Sequence, residues 1–150
     1  MKICFAASSG GHLEEILCIR ELAETYDCFY FTEENDYLKD LGAKTYCVKQ
    51  LNRREKFFVL HFAKVVCQSI CVLFKEKPDC VVCTGALAAI PMCYCARLLG
   101  KKVIFIESFA RVEGPSLSGR LCYPIANLFL IQWEDVKKYY PKAVFVGTVY

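Results

Sequence analysis

Short apolar runs alternate with helical stripes along the chain. Lys2–Ala7 (KICFAA) is continuously apolar, the pattern of a strand buried on both faces of a parallel sheet. His12–Thr25 spaces Leu13, Ile16, Leu17, Ile19, Leu22 and Ala23 helically, which predicts one amphipathic helix. Asp27–Thr32 reads as a second strand and acidic Glu33–Asp36 as a loop. Tyr37–Leu41 predicts a short helix closed by Gly42, and Lys44–Val48 a third strand. The polar, mostly basic run Lys49–Lys56 predicts a loop. Asp79–Cys83, Lys102–Ile106, Leu128–Gln132 and Ala143–Val146 complete seven strands. Helices are expected from Pro91 to Leu99, where Gly100 stops the element, over Ser116–Asn127 with a bend near Pro124, and over Trp133–Tyr139. This alternation predicts an α/β domain spanning 1–150, a Rossmann-like, doubly wound parallel sheet.

Phe57–Phe74 is the most hydrophobic segment. His61, Lys64 and Gln68 form a narrow polar stripe on it, which a membrane-spanning helix would not carry. Two readings stay open. The segment is a buried helix covering one sheet face, or it lies against a membrane. In the second case Arg53, Arg54 and Lys56 meet anionic headgroups, and Phe57 and Phe58 enter the surface.

Composition narrows the class. Of the 150 residues, 55% are hydrophobic, enough for one proper core, and the formal charge of +3 gives no case for nucleic acid. The 11 cysteines sit largely in apolar runs, where reduced cysteine packs as a small hydrophobe. The first residues do not resemble a signal peptide, so a reducing, cytoplasmic setting is expected. Cys80 and Cys83 have the spacing of half a zinc site, but they lie in a strand run whose alternate residues face opposite ways. Neither a metal nor a cofactor is expected.

Ligands of such sheets bind beyond the carboxyl ends of the strands. Three loops fall there. The first, Ser8–His12, contributes Ser9, Gly10, Gly11 and His12. It lacks the full dinucleotide fingerprint, Thr32 rather than an acid ends the second predicted strand, and Glu14 and Glu15 would repel a phosphate in the first helical turn. The glycines still permit close backbone approach, and His12 at the helix mouth can take a proton from a hydroxyl or donate to a diphosphate oxygen. The second loop brings Thr84 and Gly85. The third brings Glu107, Ser108, Phe109 and Arg111. Glu107 can bind sugar hydroxyls, orient a histidine, or pair with Arg111; Phe109 can stack on a sugar or simply pack. No covalent nucleophile with a base can be assembled, which leaves general-base chemistry or binding.

The runs "SSGGHLEE", "CTGALAAIPMCYCARLLGKKVIFIES" and "GPSLSGRLCYPIANLFLIQW" together resemble the acceptor-side half of a GT-B glycosyltransferase. The likeness is to PssD-type and Alg-fourteen-like proteins and, more distantly, to the N-terminal domain of MurG. The resemblance implies a two-chain enzyme. This chain would bind a lipid-diphosphate-linked sugar at the inner membrane face, as a peripheral protein in a hetero-oligomer. A separate donor-binding subunit would hold the nucleotide sugar, and a hexose would pass to the acceptor in polysaccharide or capsule synthesis. It maps the glycine-rich turn onto Gly10, Gly11 and His12 and the strand-end glutamate onto Glu107, with His12 and Glu107 as the catalytic candidates. Gly147–Tyr150 would mark the crossing to a second half. The membrane helix carried by eukaryotic members is not expected here. Two rivals remain: a self-sufficient nucleotide-binding α/β enzyme, and a non-catalytic membrane adaptor for the catalytic subunit.

Overall fold

A computed structural model describes residues 1–34 and 43–150. In chain order it contains β1 (Lys2–Ala7), α1 (Gly11–Cys18), α2 (Leu22–Thr25), β2 (Asp27–Glu33), β3 (Thr45–Val48), α3 (Phe58–Glu76) and β4 (Cys80–Gly85). There follow α4 (Ile90–Leu98), β5 (Lys102–Ile106), α5 (Leu117–Cys122), β6 (Leu128–Ile131), a 3-10 turn at Glu134–Lys138 and β7 (Val144–Phe145). All neighbouring strands pair in parallel, in the order β3-β2-β1-β4-β5-β6-β7. The strand order therefore reverses between β1 and β4, and a crevice opens at their carboxyl ends.

Alternation along β1 divides the core. Ile3, Phe5 and Ala7 face α1, where Leu13 and Ile16 cover them. Cys4 and Ala6 face the opposite layer, which Val65 and Leu73 of α3, Met92 and Ala96 of α4 and Cys122 of α5 complete. Cys80 and Cys83 fall on opposite faces, so they cannot share a ligand.

At the amino edge of the sheet, Glu76 closes α3 with a saturated carboxylate. It accepts from Lys2 Nζ at 2.6 Å and from Lys44 Nζ and the Tyr46 hydroxyl. These hydrogen bonds, led by that from Lys2, hold its pKa down at about 2.

Several elements depart from the expectations. The long first helix breaks into α1 and α2, because residues 19–22 close tight turns such as Ile19 N–H to the Ile16 carbonyl; these keep Ile19 and Ala23 against the sheet. β2 runs one residue further and ends on Glu33, which is buried. α5 stops before Pro124, where proline removes a donor and disfavours helix in the preceding residue. The helix expected at Tyr37–Leu41 lies outside the described residues.

α3 covers one sheet face, as the first reading expects, but it is not buried all round. It buries only one stripe: Val65, Ser69, Val72, Leu73 and Glu76. Phe57, Val59, Leu60, Ile70 and Phe74 are exposed, Val59 by 79% and Leu60 by 68%. Cys67 and Cys71 lie on this outward side as well, not in the core. Among the described residues α3 is the one helix long and apolar enough to cross a bilayer, yet its inner stripe is packed on the sheet.

Candidate functional site

The site stands on the crevice at the switch point. β1 runs into the glycine turn, where Gly10 adopts φ 82°, a left-handed conformation that glycine reaches at little cost. Its carbonyl accepts from the Leu13 and Glu14 N–H groups and so starts α1. The turn is sewn to β4 twice: Ser8 N–H donates to the Gly85 carbonyl at 3.1 Å, and the Thr84 hydroxyl donates to the His12 carbonyl at 2.7 Å. A β-carbon on Gly85, itself at φ 105°, would meet Ser118 Oγ at 3.0 Å and His12 Cε1 at 3.2 Å. Gly85 thus leaves room for the imidazole. Among the described residues nothing packs within 4 Å of where a side chain on Gly10 or Gly11 would begin, which leaves room there for a ligand.

His12 faces a cleft of about 290 Å³ whose polar lining includes Ser108, Ser116 and Ser118 along with Arg53 and Arg111. Its Nδ1 is buried and has no hydrogen-bond partner among the described residues. Burial lowers the imidazole pKa, so His12 is neutral at pH 7 and able to accept a proton.

Glu107 plays a different part from the one its position suggested. Its carboxylate is 1% exposed and turned inward. Oε2 accepts from the Tyr140 hydroxyl at 2.6 Å and the Ser116 N–H at 3.2 Å, and Oε1 accepts from the Ser108 N–H at 3.0 Å. A methyl group on Gly119 would fall on this carboxylate, so a glycine there lets α5 approach. Glu107 therefore positions two of the three serines of the cleft wall, Ser108 and Ser116, and is not among the residues that line the cleft. Burial and the Glu107 carboxylate together push the Tyr140 hydroxyl pKa up.

Glu15, one helical turn after His12, is the second buried acid. Oε1 accepts from Ser108 Oγ at 3.0 Å and Phe109 N–H at 2.8 Å, tying α1 to the loop after β5. Oε2 has no partner among the described residues, and burial raises the carboxyl pKa. The acid at the end of β2 is present after all, as Glu33. It accepts from the N–H and hydroxyl of Ser9 and from the Leu51 N–H, and so is spent on the protein rather than on a ribose.

The structure brings His12, Ser108 and Arg111 to one cleft. Thr84, Gly85 and Ser9 stand behind, holding the turn. Phe109 packs between Trp133 and Tyr150, with ring centroids 5.1 and 5.0 Å away, and accepts the Trp133 indole N–H through its carbonyl. It belongs to that aromatic group rather than to the cleft wall. Arg53 lines the cleft, apart from the exposed Arg54, Lys56 and Phe57 and the half-buried Phe58, which packs on Phe62. Glu15, Glu33, Ser116, Ser118 and Tyr140 escaped sequence reasoning. Only Glu15 carried a signal, its spacing of three residues from His12 on a helix.

Comparison with known proteins adds three findings. The family model described as "Oligosaccharide biosynthesis protein Alg14 like" matches residues 3–149. The human protein named "UDP-N-acetylglucosamine transferase subunit ALG14" is 39% identical over an alignment covering 99% of this chain and 83% of that one, and its mouse counterpart is 29% identical with the same coverage. Among solved structures, MurG of Acinetobacter baumannii superposes with a TM-score of 0.78 at 20% identity, covering 99% of this chain and 46% of that one. A UDP-GlcNAc 2-epimerase of Neisseria meningitidis, bound to UDP-GlcNAc, gives 0.74 at 18% identity, with 99% and 46% covered. The chain spans just under half of either structure, and at these identities the likeness is one of fold.

Proposed function

The chain belongs to the Alg14-like family of oligosaccharide biosynthesis proteins, and from that premise we propose that it is the acceptor-binding subunit of a two-chain glycosyltransferase. It takes a lipid-diphosphate-linked sugar into the crevice at the switch point, on the cytoplasmic membrane face. A partner subunit presents a nucleotide sugar, a uridine diphosphate sugar by analogy with the names of the mammalian relatives.

The observation that carries this reading is the state of His12. It is a neutral imidazole with a free buried nitrogen, facing a cleft lined by serines and two arginines. In the proposed step it removes the proton from an acceptor hydroxyl. The hydroxyl oxygen bonds to the anomeric carbon, the bond from that carbon to the nucleotide diphosphate breaks, and the diphosphate leaves on the partner. Inversion of this kind needs one base and no covalent nucleophile. Thr84 and Gly85 set the imidazole's place, and Glu107 and Glu15 hold the opposite wall.

The outward face of α3 supports peripheral membrane contact. Phe57, Val59, Leu60, Ile70 and Phe74 form an exposed apolar strip, with Arg54 and Lys56 at its start and Lys64 and Lys75 along it. Such a helix lies in the interface and takes its affinity from apolar burial and anionic headgroups.

One reconstitution tests both parts: this chain, its partner subunit, a lipid-linked sugar and a radiolabelled nucleotide sugar on phosphatidylglycerol vesicles. Transfer is expected only with both chains, and a Val59→Asp, Leu60→Asp variant is expected to leave the vesicles while keeping its fold. Full transfer by this chain alone would refute the two-chain reading and favour the self-sufficient enzyme. Undiminished vesicle binding by the double variant would remove α3 as the membrane contact.

A further inference from the structure

Two arginines enter the cleft from opposite sides. Arg53 comes from the loop after β3, and Arg111 from the loop after β5. In the sheet, β3 and β5 stand on either side of β1 and β4, whose loops supply His12, Ala86 and Leu87 to the same cleft. The loops that carry the two arginines therefore stand on either side of the turn that carries His12. Among the described residues no carboxylate lines the cleft and neither arginine has an ion-pair partner.

The loop that carries Arg53 is tied down. Glu33, 5% exposed, grips Ser9 of the glycine turn with Oε2, at 3.3 Å to the N–H and 3.2 Å to the hydroxyl. With Oε1 it takes the Leu51 N–H at 3.1 Å, two residues before Arg53. One buried acid thus fixes both the turn below the cleft and the loop beside it.

We propose that Arg53 and Arg111 form a two-point clamp for a diphosphate ester, with Glu33 holding the Arg53 loop against the glycine turn. This rests on the acceptor-binding reading of the cleft, and it moves Arg53 from the membrane surface to the ligand. The chemistry fits a diphosphate better than a single phosphate. Each guanidinium offers a planar fork that matches one phosphoryl group, and two forks on opposite walls suit two linked groups. In the unliganded chain burial, with a smaller contribution from the nearby charge of Arg111, lowers the His12 pKa. Leu87 and the exposed Leu117 supply apolar lining for what the diphosphate carries.

A diphosphate could come from a prenyl carrier or from a nucleotide sugar, so the test has separate arms. The full chain is titrated calorimetrically with farnesyl diphosphate, farnesyl monophosphate and UDP-N-acetylglucosamine, and its sedimentation with phosphatidylglycerol vesicles is measured. Arg53→Ala is expected to weaken farnesyl diphosphate binding about ten- to a hundred-fold, the loss of one charge-assisted hydrogen bond. It should also abolish the preference for diphosphate over monophosphate and leave vesicle sedimentation unchanged. Arg53→Lys should recover part of the loss. The same pattern with UDP-N-acetylglucosamine alone would keep the clamp and overturn the acceptor reading. Wild-type binding that Arg53→Ala does not alter would overturn the clamp and leave that reading standing, as would a loss confined to vesicles. A wild-type chain that binds neither diphosphate would overturn both.

Discussion

The two edges of the sheet treat charge in opposite ways. At the amino edge, Glu76 has a donor for each oxygen and more: Lys2, Lys44 and Tyr46 all converge on it. At the carboxyl edge, among the described residues, His12 Nδ1 and Glu15 Oε2 are buried and unpartnered, and two arginines line a cleft without carboxylates. A buried polar group without a partner costs free energy. Folding alone gives no reason to keep several of them on one edge while saturating the other. The saturated cluster is a brace, and the unsaturated one is where the proposed reading places the ligand. The carboxyl edge is itself mixed, because Glu107 is as fully engaged as Glu76 and sits directly behind the open groups.

That contrast can be broken in three ways. The largest effect is expected at His12. Replacing it with alanine should lower sugar transfer by about 10²–10⁴-fold, the usual worth of a positioned general base. The melting temperature should stay unchanged or rise slightly, since an unpartnered buried nitrogen disappears. In the proposed step the active form is the neutral imidazole, and burial lowers its pKa. The wild-type rate should therefore hold until pH falls below the ordinary histidine range and decline only beneath it. Transfer assays across pH together with thermal melts check this, and an unimpaired variant would favour the adaptor reading.

Glu107→Ala should do the reverse. It strands the Tyr140 hydroxyl and the Ser108 and Ser116 N–H groups, at a cost of about 3 kcal/mol or more. For a domain of this size that is a fall of about 10 °C in melting temperature. Any loss of transfer should follow the loss of fold, and a melt unchanged in this variant would contradict the bracing role.

The smallest effect is expected at Glu76. Its folded pKa of about 2 lies below the unfolded value. Its stabilisation is therefore complete above the ordinary carboxylate range and is lost as pH falls toward 2. Between those limits the wild-type melting temperature should drop by a few degrees more than that of Glu76→Gln, measured by circular dichroism at stepped pH. Parallel curves for the two proteins would remove Glu76 from the account.

Much of the frame was legible in the chain. Seven apolar runs became seven strands, and the three loops singled out beyond β1, β4 and β5 do meet at the crevice. The break between α1 and α2, the outward apolar face of α3 and the inward turn of Glu107 were not legible. Each depends on which neighbour a side chain finds rather than on its own spacing. In Phe57–Phe74 the narrow polar stripe of His61, Lys64 and Gln68 has apolar residues on both flanks, so periodicity could not say which flank meets the sheet.

The order of apolar and polar positions by itself determined a parallel sheet with its loops gathered at one edge, because strands buried on both faces are joined in parallel by long crossovers and parallel strands all end at the same edge. Only the tertiary structure decided which polar groups are spent and which are left over. Glu14 and Glu15 are identical neighbours in the chain, yet one is exposed and the other is buried against Ser108 and Phe109. Hydrogen-bond satisfaction is set by groups far away in sequence, and here those distant groups separate the braces from the polar atoms left unpaired among the described residues.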